Sequence, residues 1–205
     1  MVLTQCAQCQ TDPSPNVIGS LALMKKPSSI GKRIESSIKY AKSKDYESAM
    51  IHFFPALDKT AKKRRPKDGV GSRIRKFISD QEAIITAVAT GNIFRNITVD
   101  GISFPDAIYK FGRTSIVHEG ELDKRLTFND TGSLIIGEVW NLPSSYVTAL
   151  CISVMVVPEN NQEFIDSPLA ITIFKRQFPI NELWGAEETV KKLICDTFKN
   201  PVLFK

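Results

Sequence analysis

A run of apolar residues between Tyr46 and Arg65 limits the possible folds of this chain most strongly. The apolar positions recur at i, i+3, i+4 and i+7 and therefore form one stripe along a helix: Tyr46, Ala49, Met50, Phe53, Leu57 and Ala61. Asp45 is expected to cap this helix in part, and Pro55 to kink it, because proline lacks a backbone donor. His52 lies off the stripe, which predicts a surface side chain or one with satisfied hydrogen bonds, rather than a metal ligand. Such a stripe has to be buried against other elements.

Similar patterns predict more helices and a little strand. Helices are expected at about 30–42, from 73 to about 90 after a Ser72 cap, after Pro105, at 133–142 and at 186–198. Asp100-Gly101 between two β-prone runs predicts a hairpin over 93–104, and residues 171–178 predict one further strand. A loop is expected at 127–132. The valines and isoleucines of 146–157 leave helix or strand open, and the length of that run favours a helix.

Composition divides the chain into three parts. Residues 1–29 are rich in proline and polar residues and are expected to form a flexible leader. Residues 30–157 are expected to form one helical domain, and residues 158–205 a strand and helix packed on it. The 205 residues, with 42% hydrophobic and 24% charged, are enough for one core and exclude disordered, collagen-like and coiled-coil classes.

Positive charge is concentrated in one block. The segment from Lys59 to Lys76 holds nine basic residues and one acid, which leaves 18 basic and 21 acidic residues elsewhere in a chain of net charge +5. A polyanion such as RNA binds clustered charge well, because each neutralised phosphate releases counterions. A solvated helix end is the alternative. The residues expected to contact nucleic acid are Lys62, Lys63, Arg64, Arg65, Arg73 and Arg75.

The cysteines predict neither a disulfide framework nor a metal site. Cys6 and Cys9 form a C-x-x-C pair, but no second pair completes four zinc ligands, so no metal and no cofactor is expected, and a zinc or redox protein ranks last. Cys151 and Cys195 are expected to behave as small hydrophobes. Free thiols, no signal sequence and no apolar run near the ~20 residues that cross a bilayer predict a cytoplasmic protein that does not contact membranes.

The segment from Tyr109 to Gly120 has the pattern Tyr-x3-Arg-x4-His-Glu-Gly, with Arg113 and His118 as its arginine and histidine. Together with the upstream helix around 56–60 and the hairpin, this pattern resembles the HEPN superfamily of nucleotide-binding helical domains, and its Apea-like members most. The resemblance covers roughly residues 30–157. It implies a mainly α fold, a HEPN-like helical bundle with a small β-hairpin and one further strand.

The resemblance also implies an activity. Active members of the superfamily are metal-independent endoribonucleases of prokaryotic defence or toxin systems, which an antitoxin or another partner protein can restrain. Arg113 and His118 would be the catalytic pair, since histidine titrates near neutral pH and arginine holds phosphate with a fixed fork. Glu119 is expected to orient the imidazole or to face water. Thr114 departs from the Asn, Asp or His that often follows the motif arginine in active toxins.

The spacing of the motif raises a geometric question. Five residues at 100° place Arg113 and His118 about 140° apart on an ideal helix, so one straight helix does not direct both to one point. Either Gly112 and Gly120 loosen the helix ends, or two copies form the site together. The resemblance favours the second arrangement, a homodimer. The alternative is a catalytically inactive module that binds nucleotide, nucleic acid or a partner protein, with Arg113 and His118 as a buried structural pair. The apolar residues of the motif are expected in the core: Tyr109, Phe111, Ile116 and Val117.

Overall fold

The computed structural model describes residues 26–204, and this part of the chain is mainly helical, as predicted. The α-helices are α1 (Ser29–Lys42), α2 (Tyr46–Arg64), α3 (Val70–Thr90), α4 (Phe104–Ala107), α5 (Ser115–Glu119), α6 (Ser145–Val156) and α7 (Glu187–Phe198). A π-helix, Ile108–Thr114, joins α4 to α5, and 3₁₀ turns occupy Pro158–Asn160 and Ile180–Glu182. The Cys6–Cys9 pair and nearly all of the expected leader lie outside the described residues.

The strands of residues 26–204 form small sheets. They are β1 (Thr98–Val99), β2 (Ile102–Ser103), β3 (Leu126–Asn129), β4 (Ile135–Ile136), β5 (Trp140–Pro143), β6 (Ala170–Ile173) and β7 (Arg176–Pro179). β1 pairs with β2 and β6 with β7, while β5 lies between β3, which is parallel to it, and β4, which is antiparallel. A hairpin is confirmed at the predicted turn, but it is shorter than the expected 93–104 and pairs only Thr98–Val99 with Ile102–Ser103. Asp100 and Gly101 have φ of 51° and 73°, which a type I′ turn requires.

The predicted stripe of α2 lies in the core. Ala49, Met50, Phe53, Leu57 and Ala61 are fully buried, and Tyr46 is half-buried. The predicted cap is also confirmed, since the Asp45 side chain accepts a hydrogen bond from the Ser48 amide. His52 is half-buried and stacks on Tyr40, with ring centroids 5.2 Å apart.

α6 is the central helix, and the helical alternative for residues 146–157 is confirmed. Every residue from Ala149 to Val157 is buried, because the helix packs against α1, α2 and α3. The Cys151 thiol lies 3.2 Å from the Ser37 hydroxyl, and burial raises its pKa to about 12. No helix of residues 26–204 is long and apolar enough to span a bilayer.

The prediction of a helix at 133–142 is wrong. β4 and β5 occupy this segment, because β5 pairs along its whole length with β3, and that distant pairing overrides the local apolar spacing. The expected loop at 127–132 is shorter than predicted for the same reason, since β3 extends to Asn129.

Two further predictions need correction. Residues 171–178 form two strands, because Phe174 and Lys175 take positive φ angles of 47° and 67° and turn the chain back. α3 begins at Val70 with Gly69 as its N-cap, so Ser72 lies inside the first turn, where its hydroxyl donates to Asp68 at 3.3 Å.

The C-terminal residues share the core of the bundle, to which they contribute Ile171, Ile173, Phe178, Val190 and Ile194.

Candidate functional site

The motif lies on the π-helix and on α5, against the middle of α2. Phe111 and Gly112 are buried, and the backbone of Gly112 is so close to Phe54 that a Cβ there would lie 2.4 Å from the ring Cζ. π-Helices are rare and occur frequently at functional sites. The wider turn of a π-helix changes the direction of the side chains that follow it. The spacing of 100° per residue, which holds for an ideal α-helix, therefore does not describe this segment.

A small cavity separates this segment from α2 at Pro55. Its volume is about 160 Å³. The residues that line it are Ile51, Phe54, Pro55, Asp58, Arg113, Ile116 and Val117. Pro55 has no N–H, so the Ile51 carbonyl loses its helical donor on this side of α2. The cavity therefore combines apolar walls with two charged groups, Arg113 and Asp58.

Arg113 differs from the other arginines in having no partner within residues 26–204. Eight of the nine arginines make a hydrogen bond, an ion pair or a ring contact. Arg113 is half-buried and makes none of these with any residue in that range. A partly desolvated guanidinium with five free donors favours the binding of an anion, because the anion accepts hydrogen bonds from the donors and compensates the positive charge.

His118 does not join Arg113 in this cavity. It is exposed in the last turn of α5 and, within the described part of the chain, has no hydrogen-bond partner. α5 ends immediately afterwards, where Gly120 has φ of 84°. Of the two motif residues of one chain, Arg113 therefore lines the cavity and His118 does not.

The supporting residues have separate surroundings. Glu119 is exposed and accepts a hydrogen bond from Ser115 at 3.4 Å, with no bond to His118. The Thr114 hydroxyl is buried and has no partner among residues 26–204. Val117 was expected in the core, but 57% of it is exposed, because the helix behind the π segment turns it outward. Phe111 is buried as expected, and Tyr109 and Ile116 are half-buried.

The basic block divides into two parts with different environments. At the end of α2, Lys63 pairs with Glu163 at 3.1 Å, Arg64 with Glu159 at 2.7 Å, and Arg65 with Asp80 at 2.6 Å. Two of these carboxylates, Glu159 and Glu163, belong to the C-terminal residues, so the ion pairs hold that segment against the bundle. The ion pairs also compensate the positive charge of Lys63, Arg64 and Arg65. Lys62 is exposed and forms no ion pair within residues 26–204.

The second part, Arg73 and Arg75, lies beside the motif. Arg73 donates from Nε and Nη2 to Asp58, at 2.8 and 2.6 Å, and Asp58 lines the Arg113 cavity. The Arg75 guanidinium lies over the Tyr109 ring, 4.8 Å from its centroid, and its Nε lies 3.6 Å from Oδ1 of Asp106, so both arginines are ion-paired as well. The bundle therefore brings the start of α3 next to the motif helix. Asp58 was not identified from the sequence, because its partner belongs to another helix and no local pattern indicates that pairing.

Metal ligands are not grouped in the described structure. Among residues 26–204, no three His, Cys, Asp or Glu side chains are placed to hold an ion together.

The comparisons with known proteins give a family and no activity. A family described as Rv1289 matches residues 29–203. The uncharacterized proteins Rv1289 and MT1327 of Mycobacterium tuberculosis and Mb1320 of Mycobacterium bovis are each 24% identical over 189 residues, which covers 81% of this chain and 88% of theirs. No solved structure matches. Since the match extends over most of its length, the chain belongs to the Rv1289 family.

Proposed function

We propose that this chain is a HEPN-like effector that binds and cleaves RNA without a metal ion, with Arg113 and His118 as its catalytic pair in a homodimer cleft. The observation that supports the proposal is Arg113, which lines the cavity at Pro55 and has no partner within residues 26–204. Arg73 and Arg75 lie on the same side of the bundle, each in an ion pair, with Asp58 and Asp106 respectively. A prokaryotic defence or toxin system, with an antitoxin or another protein as a partner, is the setting that we propose.

The chemistry needs only these two side chains and the RNA itself. The 2′-oxygen attacks the adjacent phosphorus, a P–O2′ bond forms and the P–O5′ bond breaks, which leaves a 2′,3′-cyclic phosphate and a 5′-hydroxyl end. His118 accepts the 2′-hydroxyl proton and then donates it to the leaving 5′-oxygen. Arg113 donates to the phosphate oxygens as negative charge develops on them.

A homodimer is proposed because His118 lies outside the Arg113 cavity of its own chain. Val117 is exposed and lines the same hollow as Ile51 and Pro55. An apolar surface of this kind can pair with the same surface of a second copy about a twofold axis. Such pairing would bring His118 of one copy towards Arg113 of the other.

A catalytically inactive binding module is the second candidate. It is favoured by the absence of any bond between His118 and Glu119 and by Thr114 at the position after the motif arginine. Such a module would bind nucleotide, RNA or a partner protein through the same basic side and leave it intact.

Incubation of the purified protein with labelled single-stranded RNA, with and without EDTA, distinguishes the two candidates. We expect cleavage that survives EDTA, disappears in His118→Ala and persists in His52→Ala. His52 is the matched control, since it is the other histidine of the chain and lies in the middle of α2. RNA that is bound but never cut favours the binding module, and cleavage unchanged in His118→Ala rejects the site assignment.

A further inference from the structure

We infer that Asp58 regulates the proposed RNA site: it competes with phosphate for Arg73, so that RNA binds by displacing the Asp58 carboxylate and then contacts Arg73 and Arg113 together. This inference rests on the proposed function. It adds a positioning residue that sets the affinity of the site for anions.

The geometry of the Arg73–Asp58 pair is the first argument. Nε and Nη2 of Arg73 both reach the same oxygen, Oδ1, at 2.8 and 2.6 Å. The strongest arginine–carboxylate pairs instead use two parallel bonds to two oxygens. Arg64 has that stronger geometry, with Nε on Oε1 of Glu159 at 2.7 Å and Nη2 on Oε2 at 3.0 Å. The Arg73–Asp58 pair therefore has the weaker geometry of the two, which suits an exchangeable contact.

The place of Asp58 is the second argument. Asp58 lines the cavity that Arg113 also lines, and it pairs with Arg73, so one acidic residue is shared by the cavity and the Arg73 ion pair. A phosphate offers more charge and more acceptor oxygens than a carboxylate and can accept from both arginines. Asp58 repels that phosphate until it is displaced, which disfavours weakly held polyanions.

A third observation shows how Arg73 remains in place when Asp58 is displaced. Its Nη1 donates to the backbone carbonyl of Asp68 at 3.3 Å, in the turn before α3. Only 12% of the Arg73 side chain is exposed, so its stem is held by packing rather than by the carboxylate alone. The guanidinium is thus held in place beside Asp58, which lines the cavity.

The test is the binding of a fluorescein-labelled single-stranded RNA, followed by anisotropy over a series of salt concentrations. In Asp58→Asn the amide oxygen can still accept from Arg73, but the negative charge is gone. We expect tighter binding than wild type, and a plot of log K against log salt that is steeper by about 0.7, because Arg73 then neutralises one more phosphate. Asp58→Ser removes the same charge and replaces the amide variant in the test if that variant unfolds.

Two controls separate this effect from a change of net charge. Glu188→Gln removes one negative charge from an exposed residue of α7 and should leave RNA affinity nearly unchanged. Arg73→Gln should weaken binding, and the Asp58→Asn/Arg73→Gln double variant should bind no more tightly than Arg73→Gln alone, because Asp58 acts through Arg73.

The possible results distinguish the inference from the proposed function. If wild type binds RNA and Asp58→Asn binds equally or more weakly, the inference is wrong and the proposed function stands. An equally large increase in affinity in Glu188→Gln also overturns it. If neither protein binds RNA, both are rejected, whereas binding that appears only in Asp58→Asn supports the competition directly.

Discussion

The backbone of Gly112 lies against the ring of Phe54, so close that a Cβ on residue 112 would be 2.4 Å from Cζ and 3.1 Å from Cε2. Phe54 is 3% exposed and packs on Phe53, with ring centroids 5.4 Å apart, and it also lines the cavity at Pro55. This contact sets how near the π-helix lies to α2, and thereby the width of the cavity between Arg113 and Pro55.

Gly112→Ala should therefore destabilise the protein and disturb the site. The added methyl overpacks a filled core, which costs about 1–3 kcal/mol of unfolding free energy. Urea denaturation measures this cost, and anisotropy should show weaker RNA binding. Gly137→Ala is the control, because a Cβ there meets nothing within 4 Å, and its cost should stay within about 0.5 kcal/mol. An equal cost for both variants would contradict the role assigned to the Gly112–Phe54 contact.

Glu82, on α3, binds the backbone of the segment that precedes the first hairpin. Its carboxylate is buried and accepts the backbone N–H groups of Asn96 and Ile97 at 2.8 and 3.0 Å. Glu82→Gln replaces one of these acceptors with a donor, which leaves a backbone N–H unsatisfied and should cost about 1–3 kcal/mol. Urea denaturation at constant pH checks this, with the exposed Glu121→Gln as the control.

The cost of Glu82→Gln should also depend on pH. Burial raises the pKa of Glu82, the two backbone N–H groups and Arg95 lower it, and the balance lies above the ordinary 4.5. A raised pKa means that the folded state binds the Glu82 proton more tightly than the unfolded state does. The stability that this bound proton contributes is lost as pH rises through the folded-state pKa. The difference between wild type and Glu82→Gln should thus shrink as pH rises above 4.5. A difference that grows over this range would contradict this environment for Glu82.

Glu159 should show the opposite dependence. Burial raises its pKa, but hydrogen bonds from Arg64 and the backbone outweigh burial, and the pKa lies below the ordinary 4.5. The stability from this pair is present above pH 4.5 and is lost as pH falls through the folded pKa. Glu159→Gln should cost about 1.5–3 kcal/mol near neutral pH and progressively less in acid. A cost that does not change between pH 7 and pH 3, measured by urea denaturation, would contradict the ion pair.

Much of the fold could be predicted because its signals are local. The stripe from Tyr46 to Ala61 and the Asp100-Gly101 turn each depend on residues near in sequence, and both are confirmed. The strands at 133–142 depend on pairing with β3, which no local pattern shows. The turn at Phe174-Lys175 was missed because neither residue is the glycine or asparagine that positive φ angles favour.

The site could be predicted less completely than the fold. The motif pattern identified Arg113 and His118 as residues of interest, and of these Arg113 lines the cavity while His118 is exposed outside it. The π-helix has no signal in this sequence, so the outward position of Val117 could not be predicted. The sequence predicts the basic block as one positively charged surface. Glu159, Glu163 and Asp80 compensate part of that charge through tertiary contacts, which the sequence does not show.

The central claim, that one Arg113 and one His118 from two copies cut RNA together, is tested most directly by mixing two inactive variants. Arg113→Ala and His118→Ala, each inactive alone, are unfolded together, refolded and assayed with labelled RNA in EDTA. Random pairing about a twofold axis makes half of the dimers mixed, each with one intact site, so the account predicts about a quarter of the wild-type rate. A mixture as inactive as its two components would contradict it.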